Sequence, residues 1–251
     1  MKAIVSAFYK EVEPIIKHYK QKKENTPFEI FKNDKIIIII SGIGKINSAI
    51  ATTYLLSNYE IDFCINFGIV GSSKFKVGEI FLINKINQNL YPDILYPHPF
   101  KETFIECFDE IKTNGEFNLV DMESEAFFKA ATKFIPLEHI FIIKIVSDNL
   151  VCFRPDSNFM NNLISPHLPN ITSFIDKLKL DKTPLFDTNY LENLSQTYRL
   201  SKSQKEILKN KIIYLTLNNI PLAKIDFEPI NKKQNFQKIC DILEVSLQKL
   251  S

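Results

Sequence analysis

The sequence predicts an α/β fold: a three-layer α/β/α sandwich with a central, mostly parallel but mixed sheet, followed by a helical extension. Short apolar runs of strand length alternate with stretches of helical length, which is typical of a sheet covered by helices on both faces. Five of the six glycines lie between residues 42 and 78, and four of them close two corners that follow such runs. After Lys182 the apolar residues recur only at helical spacing.

Strands are expected where apolar residues form short continuous runs. Residues 36–40 are five consecutive isoleucines, and this run and the run at 62–67 each lead into a corner with two glycines. Glycine allows the backbone to turn tightly or to lie against a ligand. The expected strands are 2–7, 27–31, 35–40, 62–67, 79–86, 117–120 and 139–146.

Helices are expected between these strands, with one irregular segment at 87–100. The expected helices are 9–22, 45–57, 101–112, 122–133 and 157–180. Because this alternation favours parallel pairing, the strands should form one buried sheet within a domain at 1–182.

Residues 183–251 are expected to form a separate helical extension. Its apolar residues fall at helical spacing: Leu191, Leu194, Ile207, Leu208, Ile212 and Leu215. A solvated helix would not normally expose so much apolar surface, so these side chains should be buried. We expect the extension to pack on the core or on a second subunit.

Charge and hydropathy exclude two classes of partner. The formal net charge is +2, which gives no electrostatic reason to expect nucleic acid or an anionic membrane. Residues 1–7 lead into charged residues, unlike a signal peptide, and no apolar run approaches the roughly 20 residues of a membrane helix. A cytoplasmic protein is therefore expected.

Cysteines and histidines are scattered, without the close pairing that zinc ligands or redox couples need. They are Cys64, Cys107, Cys152, Cys240, His18, His98, His139 and His167. Each cysteine is expected to be a buried, reduced thiol, and neither a metal nor a cofactor is expected.

Carboxylates follow three of the expected strands. Glu11 comes just after the first strand. Asp121 and Glu123 follow the sixth strand, and Asp148 follows the last one. A single acidic residue at such a corner often serves only as a helix N-cap. Three acidic positions at one edge of a sheet instead indicate a ligand site, because ligands of open α/β sheets bind beyond the carboxyl ends of the strands.

Five motifs occur in order over residues 1–180. They are MKAIVSA at 1–7 followed by Glu11, SGIGKIN at 41–47, INFGIVG at 65–71 leading to KVGEI at 76–80, VDME at 120–123, and IVSD at 145–148. Through these motifs and their order, the chain resembles the purine and uridine phosphorylase superfamily. Within it, the chain is most similar to the branch of 5′-methylthioadenosine/S-adenosylhomocysteine nucleosidases. The resemblance implies the nucleoside phosphorylase-like form of the α/β fold.

The resemblance also implies hydrolysis of an N-glycosidic bond between ribose and a purine, through a transition state with oxocarbenium character. By position, Asp148 would donate a proton to N7 of the departing base, with Ser147 holding it in place. Glu11 would activate the attacking water. A homodimer is the state that the resemblance implies.

Substrate contacts follow from the same resemblance. Glu123 would take the ribose hydroxyls, since two hydroxyl donors suit the two oxygens of one carboxylate. Met122 would pack beneath the sugar. The substrate-binding set also includes Ile43 and the backbone around Val70 and Gly71, whose amides could hold polar atoms of the nucleoside.

Two departures from the family affect the substrate. Ile69 and Val70 stand where small residues are usual after Gly68, and only 43 residues separate Val77 from Asp121. The usual aromatic loop over the base is not recognisable in that shortened segment. The aromatic, proline-rich stretch at 91–100 either replaces it by stacking on a purine or is a structural connection with buried rings.

Two alternative functions stay open. A phosphate-dependent phosphorylase would need convergent cationic groups, most often arginines, and neither Arg154 nor Arg199 lies in a motif where the family's phosphorylases keep theirs. Lys45 either contacts an anion at a helix N-terminus or is a surface lysine that opens a helix. A non-catalytic, nucleoside-binding or regulatory relative would use its helical tail as a docking surface. The presence of Glu11, Glu123 and Asp148 together favours an enzyme that uses water.

Overall fold

The computed structural model describes residues 1–151, 155–180, 188–217 and 224–248. The chain divides into two compact units, Met1–Lys179 and Leu180–Ser251, here called the α/β unit and the helical unit. None of the described helices is both long enough and apolar enough to cross a bilayer. The cytoplasmic location stays a prediction.

The α/β unit is built on nine strands within the described residues. They are β1 (Lys2–Ser6), β2 (Lys22–Asn25), β3 (Glu29–Lys32), β4 (Ile36–Ile40), β5 (Phe63–Gly71), β6 (Ile80–Ile86), β7 (Lys101–Cys107), β8 (Val120–Asp121) and β9 (Ile140–Asp148). The helices are α1 (Tyr9–His18), α2 (Lys45–Asn58), α3 (Ser124–Ala131), α4 (Ser157–Ile164) and α5 (Leu168–Lys177). Residues 36–39 of the strand predicted at 35–40 are fully buried. Of the strand predicted at 117–120, only Val120 lies in a strand, β8.

The sheet is mixed, as predicted. β1 runs parallel to β4 and β5, and β5 runs parallel to β9. β2, β3 and β4 pair antiparallel. β6, β7 and β8 run parallel to one another and antiparallel to β9 and β5.

Part of the sheet closes on itself. The strand order is β2-β3-β4-β1-β5-β8-β7-β6-β9, and β9 pairs with β5 as well as with β6. The strands β5, β8, β7, β6 and β9 therefore form a closed ring, which leaves them without a free edge. This closure was not predicted, because an apolar run indicates a strand but does not specify its partners.

The prediction of a helix at 101–112 is wrong. The segment begins with β7, in which Thr103, Ile105 and Cys107 are buried and the residues between them are more exposed. This period of two is the pattern of a strand with unlike faces. The sequence alternation was present but was outweighed by the charged residues that flank it.

Two other helices are shorter than expected. α1 ends at His18, because the chain turns at Lys20, which has a φ of 50°, and then forms β2. The helix expected at 157–180 is divided into α4 and α5 by a 3₁₀ turn at Ser165–His167. Pro166 lies in this turn, and proline cannot donate the backbone hydrogen bond that a continuous helix needs.

The helical unit contains α6 (Thr188–Thr197), α7 (Lys202–Leu217) and α8 (Lys232–Gln248). These helices share an apolar core of their own: Leu191, Leu194, Tyr198, Leu208, Ile212, Leu215, Ile239 and Leu243. Five of the six residues expected to be buried belong to it. Ile207 does not, because it is 48% exposed beside the buried stripe of α7.

Candidate active site

The candidate active site lies where β1, β5 and β9 end. Gly71, the last residue of β5, pairs with Asp148 at the end of β9 and with Val120 of β8. β8 runs into Glu123, and α1, which carries Glu11 in its first turn, follows β1 directly. This topology brings the three predicted carboxylates to one region of the α/β unit.

Glu11 is a buried carboxylate held by three donors. Its Oε2 atom accepts hydrogen bonds from the Ser6 hydroxyl at 2.6 Å and the Phe8 backbone N–H at 3.0 Å. Its Oε1 atom accepts one from the Ile69 backbone N–H at 2.9 Å. Burial raises the pKa of Glu11, while these hydrogen bonds and the charge of Lys144 oppose that rise.

Glu123 directly precedes α3 and is also buried. Its Oε1 atom accepts the Gly44 backbone N–H at 2.6 Å, and its Oε2 atom accepts the Met122 N–H at 3.3 Å. Gly44 has a φ of 94°, which favours glycine, and it immediately precedes α2. Burial above all, and then the charge of Asp121, raise the pKa of Glu123 to about 7, against the lowering effect of Lys144.

Asp148 stands apart from the two glutamates. Its Oδ2 atom accepts a hydrogen bond from the Ser147 hydroxyl at 2.7 Å, and its Oδ1 atom accepts the Val151 backbone N–H at 3.0 Å. Asp148 pairs with Gly71 of β5, three residues beyond Gly68, where the Glu11 carboxylate lies; three residues of an extended strand span about 10 Å. Asp148 can therefore act on a different part of a ligand from the glutamates.

A buried ion pair lies among these residues. The Nζ atom of Lys144 is 2.9 Å from Oδ2 of Asp121, and both side chains are only 2% exposed. Asp121 also accepts hydrogen bonds from the hydroxyl and the backbone N–H of Ser124. Asp121 was predicted at a strand end without a role, and Lys144 was not among the predicted site residues. The available signal was a lysine inside the apolar run of β9.

The other residues assigned to substrate binding lie beside these carboxylates. Met122 separates Asp121 from Glu123, and Ile43 is half exposed just before the Gly44 amide. Val70 is buried, and its carbonyl oxygen lies 3.1 Å from the Ser147 hydroxyl. A Cβ atom on Gly71 would lie 3.2 Å from the side chains of Leu150 and Val120 and 3.3 Å from Oδ1 of Asp148, so a side chain at this position would crowd the carboxylate.

The aromatic stretch at 91–100 does not lie beside these carboxylates. The ring of Tyr96 packs against Phe63 at 5.3 Å and against His139 at 6.2 Å between ring centroids. Phe63 begins β5 and His139 precedes β9, so the contacts are at the opposite ends of the strands from Gly71. The packing of Tyr96 therefore supports the interpretation of this stretch as a structural connection.

The connection between β7 and β8, residues 108–119, lies closer to the site. The backbone N–H of Phe108 donates to the carbonyl oxygen of Asp121 at 2.9 Å. Oδ1 of Asp109 is 3.2 Å from Nζ of Lys45, the residue after the Gly44 amide that holds Glu123. The shortened segment thus does supply residues near the carboxylates, but from a different part than expected.

Comparison with known proteins supports the predicted family. Residues 2–111 match the family described as the Phosphorylase superfamily. This match agrees with the superfamily that the motifs predicted.

Curated relatives narrow the likeness to one branch. The 5′-methylthioadenosine/S-adenosylhomocysteine nucleosidase of Buchnera aphidicola is 40% identical over 91 residues, covering 33% of this chain and 39% of the relative. The enzyme of the same name from Bacillus subtilis is 34% identical over 61 residues, covering 24% of this chain and 26% of the relative. The chain thus spans about two fifths, or less, of the length of these relatives.

Solved structures establish the fold more broadly. The nucleosidase of Neisseria meningitidis, in complex with methylthio-immucillin-A, aligns with a TM-score of 0.54 at 17% identity, covering 70% of this chain and 98% of that structure. The nucleosidase of S. pneumoniae, with a transition-state inhibitor, aligns with a TM-score of 0.56 at 19% identity, covering 71% of this chain and all of that structure. The nucleoside phosphorylase-like α/β fold is confirmed.

Proposed function

We propose that this protein hydrolyses the N-glycosidic bond of a purine nucleoside such as 5′-methylthioadenosine or S-adenosylhomocysteine. The observation that carries the proposal is the arrangement of three carboxylates. Glu11 and Glu123 are buried and fixed by backbone N–H groups, and Asp148 stands farther along β9. This reaction needs a group that binds the sugar, a group that activates water and a proton donor for the departing purine.

Glu11 is proposed to activate the attacking water. A general base is most effective when its pKa lies nearer the working pH than that of a free carboxyl group. Burial moves the pKa of Glu11 in this direction. The three donors to its carboxylate fix its orientation, so the side chain does not need to reorganise when water binds.

Glu123 is proposed to accept hydrogen bonds from the ribose hydroxyls. Its Oε1 atom is oriented by the Gly44 amide, which supports the carboxylate from the α2 side. Met122 beside it supplies an apolar contact for the sugar, and Ile43 is proposed to line the same part of the site. The binding function requires the ionised form of Glu123, because only that form accepts two hydroxyl protons.

Asp148 is proposed to protonate the departing purine. A purine leaves more readily as a neutral base than as an anion, so a proton donor at N7 accelerates cleavage. The Ser147 hydroxyl and the Val151 amide hold both oxygens of Asp148. The segment around Val70 and Gly71 is proposed to face the nucleoside beside Asp148.

Phosphate is a less favoured nucleophile than water. The Lys45 ammonium group lies 3.2 Å from a carboxylate oxygen of Asp109 and 3.0 Å from one of Glu125, so its charge is already compensated. Arg199 belongs to the helical unit, and Arg154 lies outside the described residues. The phosphorylase and the non-catalytic binder therefore remain the alternatives to test.

A homodimer is proposed through the solvent-facing side of α2. Ile46 is 76% exposed, and Ile50 lies one turn further along the same face. The exposed positions between and after them are Asn47, Thr53, Ser57 and Asn58, so this side of the described helix carries no charge. An uncharged, self-complementary face suits a second copy of the same chain. Its position next to Gly44 would place the partner beside the site.

A nucleoside panel tests the function directly. Purified protein is incubated with methylthioadenosine, S-adenosylhomocysteine, adenosine and inosine, with and without phosphate, and the products are separated by chromatography. Free base and free sugar without phosphate are expected. A sugar 1-phosphate that forms only with phosphate would indicate phosphorolysis, and binding without turnover would indicate the non-catalytic relative. Light scattering of wild type and an Ile46→Glu variant tests the dimer.

A further inference from the structure

Lys144 is a charged residue in an apolar setting. It is preceded in β9 by four apolar residues and followed by two more, and all of them are buried. Removing an ammonium group from water is costly unless nearby groups compensate its charge. The position therefore needs an explanation in terms of the groups that face it.

The sheet directs the Lys144 side chain towards Glu11. In the ladder, Lys144 pairs with Gly68 of β5, and paired residues on neighbouring strands present their side chains to the same face. A Cβ atom at Gly68 would lie 2.9 Å from Oε1 of Glu11, so the Glu11 carboxylate occupies the place of the missing side chain. Lys144 and Glu11 thus share one face of the sheet.

Asp121 fixes the ammonium group in this position. Oδ2 of Asp121 is 2.9 Å from Nζ of Lys144. The same Oδ2 atom accepts hydrogen bonds from the hydroxyl and the backbone N–H of Ser124. Asp121 is thereby tied to the start of α3, the helix that Glu123 precedes. The pair connects β9 to the element that carries the proposed ribose carboxylate.

Three carboxylates face this one ammonium group among the described residues: Glu11 from α1, Asp121 from β8 and Glu123 from the start of α3. Asp121 alone would balance its charge. The other two carboxylates are buried, and burial by itself favours their neutral forms. A nearby positive charge favours the ionised forms that a water activator and a ribose acceptor need.

We propose that Lys144 is a positioning residue that keeps Glu11 and Glu123 ionised and in place, with Asp121 limiting how strongly it does so. The catalytic consequence rests on the proposed nucleosidase function. The electrostatic part concerns the protein alone and can be measured without substrate.

The test follows the side-chain carboxyl signals of glutamate by ¹³C NMR across pH, with Glu11→Gln and Glu123→Gln used to assign the two signals. In Lys144→Met, the midpoints of both residues should rise by about one to three pH units. In Asp121→Asn, the Glu123 midpoint should fall, because a repelling charge is lost and Lys144 is retained. Lys144→Arg should stay near wild type, and Lys129→Met, which removes an exposed lysine of α3, is the matched control.

A role in packing alone would give a different result. Lys144→Met and Asp121→Asn would then both lower the melting temperature while the two midpoints stay at wild-type values, and the proposal would be wrong. If Lys144→Met does not fold, the downward shift in Asp121→Asn and the retained midpoints in Lys144→Arg decide the question. Midpoints that shift as expected in a protein that cleaves no nucleoside would support the role of Lys144 and contradict only the proposed function.

Activity supplies a second measurement. The acid limb of the kcat/KM profile should move to higher pH in Lys144→Met and return in Lys144→Arg. An equal loss of rate at every pH in folded Lys144→Met, with the acid limb unmoved, would count against the proposal.

Discussion

The carboxylate of Glu11 lies directly over the backbone of Gly68, where a Cβ atom would be 2.9 Å from Oε1. Such a contact is too short for any side chain, so the position of Glu11 depends on glycine at this point of β5. Gly68, in the second of the two glycine corners of the sequence, therefore determines where the proposed water activator can lie.

Gly68→Ala should displace Glu11 while leaving the sheet intact. The added methyl group forces the carboxylate away from the Ile69 amide, and a misplacement of about 1 Å can cost about 10²-fold in rate. Steady-state kinetics and circular dichroism on the same preparation measure the two effects. Wild-type turnover in Gly68→Ala would show that the placement of Glu11 does not matter.

Asp148→Asn should lower turnover by about 10²–10⁴, the usual contribution of one general acid. Asp156→Asn is the matched control, because Asp156 only caps α4 by accepting the Phe159 N–H at 2.7 Å. Its turnover should stay at the wild-type level. Equal turnover rates in Asp148→Asn and Asp156→Asn would show that Asp148 does not act as the general acid.

Glu123→Gln should weaken binding of ribosides and reduce discrimination against 2′- and 3′-deoxy analogues. An amide can accept hydrogen bonds at only one of its two terminal atoms, so one ribose hydroxyl loses its acceptor. Isothermal titration calorimetry with a nucleoside and its deoxy analogues measures the preference. An unchanged preference would show that Glu123 does not bind the ribose.

Nucleoside affinity should decline as the pH falls below about 7, the raised pKa of Glu123. The protonated carboxyl group cannot accept both hydroxyl protons, and protonation is half complete at this pH. Binding constants measured from pH 5 to pH 9 test this, and the decline should be absent in Glu123→Gln. A constant affinity in wild type across the range would contradict it.

The contribution of Glu123 to the free energy of unfolding should fall as the pH rises, whereas nucleoside affinity should fall as the pH falls. The pKa of Glu123 is higher in the folded protein than the ordinary value of 4.5, so folding favours its protonated form. Its contribution to the free energy of unfolding is complete below pH 4.5 and is lost as the pH rises to about 7. Urea denaturation of wild type and Glu123→Gln should show their difference changing in this window. A difference that stays constant would indicate an unshifted pKa.

Leu208→Ala should destabilise the helical unit, whereas Ile207→Ala should not. Leu208 is fully buried in the core of this unit, and its neighbour Ile207 is about half exposed. Truncation of a buried leucine typically costs about 2–5 kcal/mol. Chemical denaturation of the two variants gives the comparison, and equal stabilities would show that this core contributes little.

The strands and the acidic positions could be predicted because their signals are local. Continuous apolar runs identified β4, β5 and β9. Ser41 directly follows β4, and Gly71 and Asp148 are the last residues of β5 and β9. Motif order then suggested the family. These features depend on neighbouring residues in the chain, which a sequence displays directly.

Features that depend on distant residues could not be predicted in the same way. The pairing of β9 with both β5 and β6 closes a ring that no single segment encodes. Lys144 lies within an apolar run, and no neighbouring residue indicates that Asp121, Glu11 and Glu123 interact with its charge. The stretch at 91–100 has the composition of a base-stacking loop, but the ring of Tyr96 packs against Phe63 and His139 at the opposite strand ends.

The most direct test of the proposed mechanism compares wild type with Glu11→Gln in phosphate-free buffer. Release of free adenine from methylthioadenosine is followed by chromatography, and binding of the nucleoside is measured by calorimetry on the same samples. Wild type should release adenine steadily, whereas Glu11→Gln should bind the nucleoside with similar affinity and release adenine at least about 100-fold more slowly. Equal release by the two proteins, or no release by wild type, would contradict the account.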